Sequence, residues 1–451
     1  MKVSEILKVT GGKLLSGDRE ADIDLSKVST DSRSIKKGEL FIALDGPNFR
    51  GSDFAGAAFE KGAIGAIISR PAGSPGALRK IIIKVKDTTR ALQDIAASHR
   101  KKFSIPVICI TGSNGKTTVK DMIAAILSER YNVLKTEGTK NNHIGVPQTL
   151  LRLNNGHDIC VLELGTNHQG EIRALSSIAG PTMAVLTNIG ASHLEFLSDL
   201  EGVYNEKRRI IGSLAKGGTV IVNGDDRFLK RIRPGSRRLV RYGLDARNDL
   251  RAENIRASGD GIGFRASGTE FALSILGGHN VHNALAAIAA SSQFNISRFS
   301  MKKALAGFRP ADMRLNRLKV GNISIINDSY NSNPLSVESA LKTAVACAAK
   351  ARWIVFGDML ELGKQAVYFH KMAGRLVAAS GADGLLALGK FSGDTIAGAS
   401  AGGMRRQSLW RCGTHGEIVG ILKRVAASGD LVLVKGSRGM RMERVIEGLK
   451  G

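Results

Sequence analysis

The chain has 451 residues, 43% of them hydrophobic, four cysteines, and a net charge of +25 from 65 basic and 40 acidic side chains. That length predicts two to four domains with ample buried core. The absence of any run of about 18 apolar residues argues against a transmembrane helix, and scattered cysteines without CxxC spacing read as reduced thiols of a cytoplasmic protein.

The excess of positive charge fits a nucleic-acid binder, an attractor of acidic substrates, or a plain solvated basic surface. The densest cluster, KRIRPGSRRLVR at 230–241, has no interleaved aromatics and no nucleic-acid motif, so no nucleic-acid partner is expected.

In chain order, MKVSEILKVTGGKLLSG lacks a long apolar core and reads as an amphipathic helix, not a secretion signal. A first block, 1–103, carries candidate strands at 40–44, 63–68 and 80–85. The charged, proline-bearing HRKKFSIP (99–106) marks a boundary. A second block, 104–312, has apolar strands at 107–111, 158–165, 182–189 and 218–225, alternating with helix-like stretches at 119–129 and 203–214. This alternation predicts a largely parallel sheet covered by helices. FRPADMR (308–314) reads as a second linker. The third block, 313–451, repeats the βαβ pattern at 322–329, 352–359, 384–389 and 430–437, of Rossmann-like size.

ICITGSNGKTTVKDM (108–122) joins an apolar strand to a helix through Gly112, Ser113, Asn114, Gly115, Lys116, Thr117 and Thr118. Taken alone, it could be a glycine-rich turn. Its GKTT ending predicts a nucleotide loop, with backbone N–H groups and the helix dipole around phosphate, Lys116 on the terminal phosphates and Thr117 on Mg²⁺. The spacing is shorter than the usual phosphate loop. Glu163, ending the next strand, is placed to hold a cation or is merely a surface acid. His193 follows a third strand end; a lone histidine is more often structural. Together, however, three strand ends bring Thr117, Glu163 and His193 towards one sheet edge. Asn280 and Asn283 share a helix face in GGHNVHNALAA (277–287), and Asn280 is also a candidate cap. KGSRGMRME (435–443) follows a strand, so Lys435, Ser437 and Arg438 suit a substrate carboxylate or form an ordinary charged helix start.

TGSNGKTT resembles the compact loop of the Mur ligases and folylpolyglutamate synthetases, which form amide bonds with ATP. TDSRSIKKGELFIALDGPNFRGSDFAGAAFEKGA (30–63) resembles the UDP-binding domain of Mur ligases, a domain that folylpolyglutamate synthetases lack. It implies nucleotide-sugar contacts at Asp31, Ser32 and Arg33, with Ser52 replacing a commoner His. TEGTKNNHIGVPQTLL (136–151) is similar to a loop of the D-alanyl-D-alanine-adding branch and implies Lys140, Asn141 and Asn142 on the UDP-sugar, with Thr139 replacing the usual Asn. YNSNP (330–334), with Asn331 and Asn333 as substrate contacts, and GDMLELG (357–363) are typical of the same branch.

The resemblance further implies that His193 ligates metal and that Lys207, fourteen residues on, is a carbamylated lysine bridging to a second metal. Arg209 stands where the family commonly has Glu. Asn283 is implied at adenine, Arg314 at ATP phosphate and Asp328 at ribose. The implied protein is α/β with three domains: an N-terminal UDP-binding domain, a central phosphate-loop ATPase domain with a parallel sheet, and a C-terminal Rossmann-like domain. ATP and Mg²⁺ are the expected cofactors, UDP-N-acetylmuramoyl-tripeptide and D-alanyl-D-alanine the substrates, and a cytoplasmic monomer the expected form. A Mur ligase adding an earlier residue is the nearest alternative. A nucleic-acid-binding phosphate-loop protein leaves the 30–63 and 136–151 motifs unexplained.

Overall fold

The computed structural model describes residues 1–71, 80–258 and 261–451, which form three sheets in succession. Val107–Thr111 shows why the central block is built as it is. All five residues are buried, and alternate ones enter different cores: Val107 and Cys109 on one side, Ile108 and Ile110 on the other. A strand covered on both faces belongs in the interior of a parallel sheet. Each isoleucine withdrawn from water there contributes about 2–3 kcal/mol.

The central sheet has nine strands, in the order Thr269–Leu273, Gly261–Ala266, Leu250–Ser258, Arg238–Gly243, Thr219–Asn223, Met183–Leu186, Val107–Thr111, Ile159–Glu163, Val133–Lys135. The last six in this order, together with the bridge to Leu250–Ser258, are parallel as expected. The first three form an antiparallel extension that the expectation lacked. Strands Gly261–Ala266 and Thr269–Leu273 alternate in burial, with Ile262, Phe264, Phe271 and Leu273 inside and Arg265, Glu270 and Ala272 exposed, the pattern of a half-solvated antiparallel sheet. Part of the basic cluster at 230–241 is thus structural, its end entering strand Arg238–Gly243.

The register sets up the site. Ile110 pairs with Glu163 on one side, and Thr111 with Leu186 on the other. The strand entering the glycine loop is therefore flanked by the ends of the two strands that lead to Glu163 and His193. Helix Lys116–Leu127 leaves the loop after Gly115, whose φ of +82° places it in the left-handed region.

The first block has five strands, Lys13–Ser16, Ile81–Lys84, Gly65–Ile68, Leu40–Ile42 and Val28–Ser29, parallel except for the first pair. The opening helix spans Val3–Thr10, shorter than the amphipathic stretch. Buried Arg100 pins the boundary segment by donating to the carbonyls of Phe103, Ile105 and Ala179. Gln148 donates to Thr30 Oγ1 at 2.9 Å, tying the second block to the first.

The third block has six strands, Asn316–Val320, Ile323–Asp328, Leu431–Lys435, Arg352–Gly357, Gly384–Leu388 and Leu409–Cys412, parallel after an initial hairpin. Asp328 pairs in register with Lys435. Among the described residues, no helix is long and apolar enough to cross a membrane.

Candidate active site at the seam of two blocks

The glycine loop is held from the adjacent strand end. Ser113 N donates to Asn188 O at 2.9 Å, and Asn114 N to Asn188 Oδ1 at 2.9 Å. Ser113 Oγ donates to Gly190 O at 3.0 Å. Lys116 Nζ lies over its own loop, donating to Gly112 O at 2.8 Å and Ser113 O at 3.2 Å. Burial pushes the Lys116 ammonium down, with Glu163 opposing and Arg314 assisting.

Thr117 Oγ1 donates to Glu163 Oε2 at 2.8 Å, while Asn141 Nδ2 donates to Glu163 Oε1 at 2.7 Å. From the third block, Arg314 Nη2 donates to Thr117 Oγ1 at 3.0 Å, and its guanidinium stacks 4.1 Å from the Tyr330 ring centroid. Thr117 is thus shared by two blocks. His193, at φ 55°, caps the short helix Leu194–Leu197 with its backbone, and its Nδ1 lies 2.5 Å from Glu361 Oε2.

Two clefts meet here. One, of about 470 Å³, is lined by Lys116, Thr117, Asn141, Asn142, Glu163 and His193. The other, of about 330 Å³, is lined by Thr118, Asn283, Asp328, Asn333 and Lys435. Asn114, Gly115, Arg314 and Asn331 line both. Asn280 begins helix Asn280–Ser291 but does not cap it: His279 holds the cap position. Asn280 instead fixes its neighbour. It donates to Leu276 O at 2.6 Å and accepts from Asn283 Nδ2 at 2.8 Å, leaving Asn283 Oδ1 towards Gly115.

Lys207 lies on helix Leu200–Arg208, 1% exposed. Its neighbour Glu206 is bonded into the start of helix Glu171–Ala179, accepting from Gly170 N at 2.7 Å and Ile172 N at 2.8 Å. A buried carboxylate on a helix N-terminus holds the two helices together. Among the described residues no side chain or carbonyl bonds Lys207 Nζ. Burial, reinforced by Lys116, holds its ammonium well below the usual lysine range. Arg209 turns away, pairing with Glu206 at 3.3 Å and largely exposed.

The donors fit a hard divalent cation. Among the described residues no three His, Cys, Asp or Glu cluster as a protein cage. A threonine hydroxyl and a single carboxylate at the mouth of a phosphate loop are what Mg²⁺ uses when the substrate supplies further oxygens. Lys207 Nζ is buried with no partner among the described residues, and a lysine amine adds CO₂ only in its unprotonated form.

Other expected residues lie elsewhere. Lys435, 2% exposed, is 2.5 Å from Asp328 and donates to Asn331 O at 3.1 Å, so it lines the second cleft as an internal partner of Asp328. Burial pushes the Asp328 carboxyl up against the pull of Lys435. Ser437 and Arg438 line neither cleft: Ser437 Oγ accepts from Leu360 N at 2.9 Å, and Arg438 pairs with Glu443. Asp31 and Arg33 pair with each other in the first block, Ser32 O accepts from Lys61 Nζ, and Lys140 pairs loosely with Glu137 at 3.6 Å. Tyr330, Asn188, His279 and Asp225 line the clefts without having been singled out. Asp225 follows a strand end as Glu163 does, the one signal that could have marked it.

Comparison with known proteins shows the family. Residues 24–100 match the Mur ligase family catalytic domain, 110–291 the Mur ligase middle domain, and 313–438 the Mur ligase glutamate ligase domain. The chain belongs to the Mur ligase family. Within it, the chain is 37% identical to the UDP-N-acetylmuramoyl-tripeptide–D-alanyl-D-alanine ligase of Bacillus subtilis, over 99% of this chain and 98% of that one. It is also 37% identical to the protein of the same name from Escherichia coli, with the same shares covered. The solved structure of MurF from Acinetobacter baumannii superposes with a TM-score of 0.91 at 30% identity, covering 100% of this chain and 98% of that one. MurF ligase from Thermotoga maritima in complex with ADP gives 0.84 at 25% identity, covering 95% and 98%.

Proposed function

We propose that this protein is an ATP-dependent ligase that joins D-alanyl-D-alanine to UDP-N-acetylmuramoyl-tripeptide in the cytoplasm, making the pentapeptide precursor of peptidoglycan. The observation that carries the reading is the hydrogen bond from Arg314 to Thr117, which places residues of two blocks on one phosphate-loop cleft. The tripeptide carboxylate attacks the γ-phosphorus of ATP, releasing ADP. The dipeptide amine then attacks the acyl phosphate, and collapse of the tetrahedral intermediate expels phosphate and leaves the amide.

The chain's contribution is positioning and charge. The loop amides and Lys116 hold the β- and γ-phosphates. Arg314, its plane fixed on Tyr330, faces the transferred group. Asn283 is set for the adenine edge, and Asp328 for ribose hydroxyls. Thr117, Glu163, His193 and carbamylated Lys207 would hold Mg²⁺, which neutralises developing phosphoryl charge when bound. Asp31, Ser32, Arg33 and the 140–142 loop are assigned to the UDP-sugar. Incubation with UDP-tripeptide, ATP and D-alanyl-D-alanine should give a product heavier by the dipeptide less water, together with ADP. Addition of a single amino acid to a shorter precursor instead would overturn the assignment.

A further inference from the structure

The loop that follows strand Arg352–Gly357 is anchored in its own block and reaches across to the other. Met359 N donates to His370 Nε2 at 3.0 Å, and the fully buried His370 donates from Nδ1 to Ala366 O at 2.7 Å. Leu360 N donates to Ser437 Oγ. The tip beyond these anchors meets the segment carrying His193. Glu195 N donates to Glu361 O at 3.1 Å, and a Cβ on Gly363 would stand 3.1 Å from Glu195 Cα. Glu361 itself has φ 60°, a conformation that a non-glycine residue holds only when its surroundings impose it. Its carboxylate then lies 2.5 Å from His193 Nδ1.

We infer that Glu361 is a positioning residue for His193, supplied across the seam by the third block. A carboxylate bonded to one ring nitrogen fixes both the orientation and the tautomer of an imidazole, so Nδ1–H faces Glu361 and Nε2 is left as the ligating nitrogen. The metal site is therefore complete only when the third block has docked. Ser437 and His370 act through the loop they hold. The inference rests on the metal role proposed for His193.

The test is Mn²⁺ binding, followed by electron paramagnetic resonance on the full chain with ADP, alongside the Mg²⁺ dependence of turnover. Glu361→Ala should weaken Mn²⁺ binding roughly 10- to 100-fold, raise the Mg²⁺ concentration for half-maximal turnover, and leave the KM for ATP little changed. Glu361→Gln, which keeps an acceptor oxygen and the side-chain shape, should be intermediate. Once His193→Ala is in place, adding Glu361→Ala should weaken Mn²⁺ binding no further. Unchanged Mn²⁺ binding in both Glu361 variants, or independent additive losses in the double variant, would overturn the inference alone. No nucleotide-dependent Mn²⁺ binding by the unmodified protein would overturn it together with the metal role of His193.

Discussion

Asn114 of the glycine loop and Asn333 of the third block exchange amide hydrogen bonds in both directions, at 3.1 and 2.8 Å. The same Asn333 oxygen caps helix Pro334–Ala346, accepting from Ser336 N at 3.0 Å. One side chain thus ends a helix and touches the phosphate loop. Asn333→Ala should cost about 1 kcal/mol of stability through the lost cap and also loosen the seam. Asn333→Asp keeps an acceptor for the cap but removes the amide donor. It should unfold at nearly the denaturant concentration of the wild type, yet compact less on adding ATP and UDP-substrate. Equal compaction by small-angle scattering would mean that this pair does not hold the second and third blocks together.

Gly115 leaves no room for a side chain. At φ +82° an added Cβ would overlap Asn283 Oδ1. Gly115→Ala carries roughly 1 kcal/mol of left-handed strain and displaces the residue assigned to adenine. The expected outcome is at least a tenfold loss of ADP affinity by calorimetry with the far-ultraviolet spectrum unchanged. Wild-type affinity would mean that neither Gly115 nor Asn283 meets the nucleotide.

Lys207→Ala should lose roughly 100-fold or more in turnover, the scale for removing a preorganised charge, and short-chain carboxylic acids should restore part of it. The cavity left by the buried side chain would admit a small carboxylate in place of the proposed carbamate. Full activity of the variant would take Lys207 out of the mechanism.

Burial, with Lys435 and His282 nearby, lowers His279 from an ordinary 6.5 to about 4. The sign follows from proton uptake. Above pH 6.5 both folded and unfolded chains hold it neutral; below, only the unfolded chain binds the proton, and stability falls until the folded form titrates near pH 4. At pH 5 the loss is up to about 2 kcal/mol. His279→Gln should lose less stability than wild type between pH 7.5 and 5 in urea unfolding. Parallel losses would assign the acid slope to other groups.

The βα units were legible because strands such as Val107–Thr111 are apolar on both faces. Leu250–Ser258, broken by Arg251, Glu253 and Arg256, carries half that signal, and no strand is expected there from the sequence. In the site, Thr117, Glu163 and His193 follow strand ends on one sheet, where order along the chain translates directly into place. Glu361 could not be read this way. It is a lone acid in a loop, and only the docking of another block gives it a partner. Ser437 illustrates the reverse: its place after a strand suggested a ligand, but its hydroxyl is used by Leu360 N.

The pairing of Asp328 with Lys435 has a consequence for how the chain must fold. The two residues lie 107 positions apart, yet they end neighbouring strands at matching heights. Strands point successive side chains to opposite faces, so a slip of one residue between Ile323–Asp328 and Leu431–Lys435 would carry one charge to the far side of the sheet and leave the other without its partner at the cleft. The second of these strands forms near the end of the chain. A nascent third block therefore cannot settle this edge of its sheet until Leu431–Lys435 has been made.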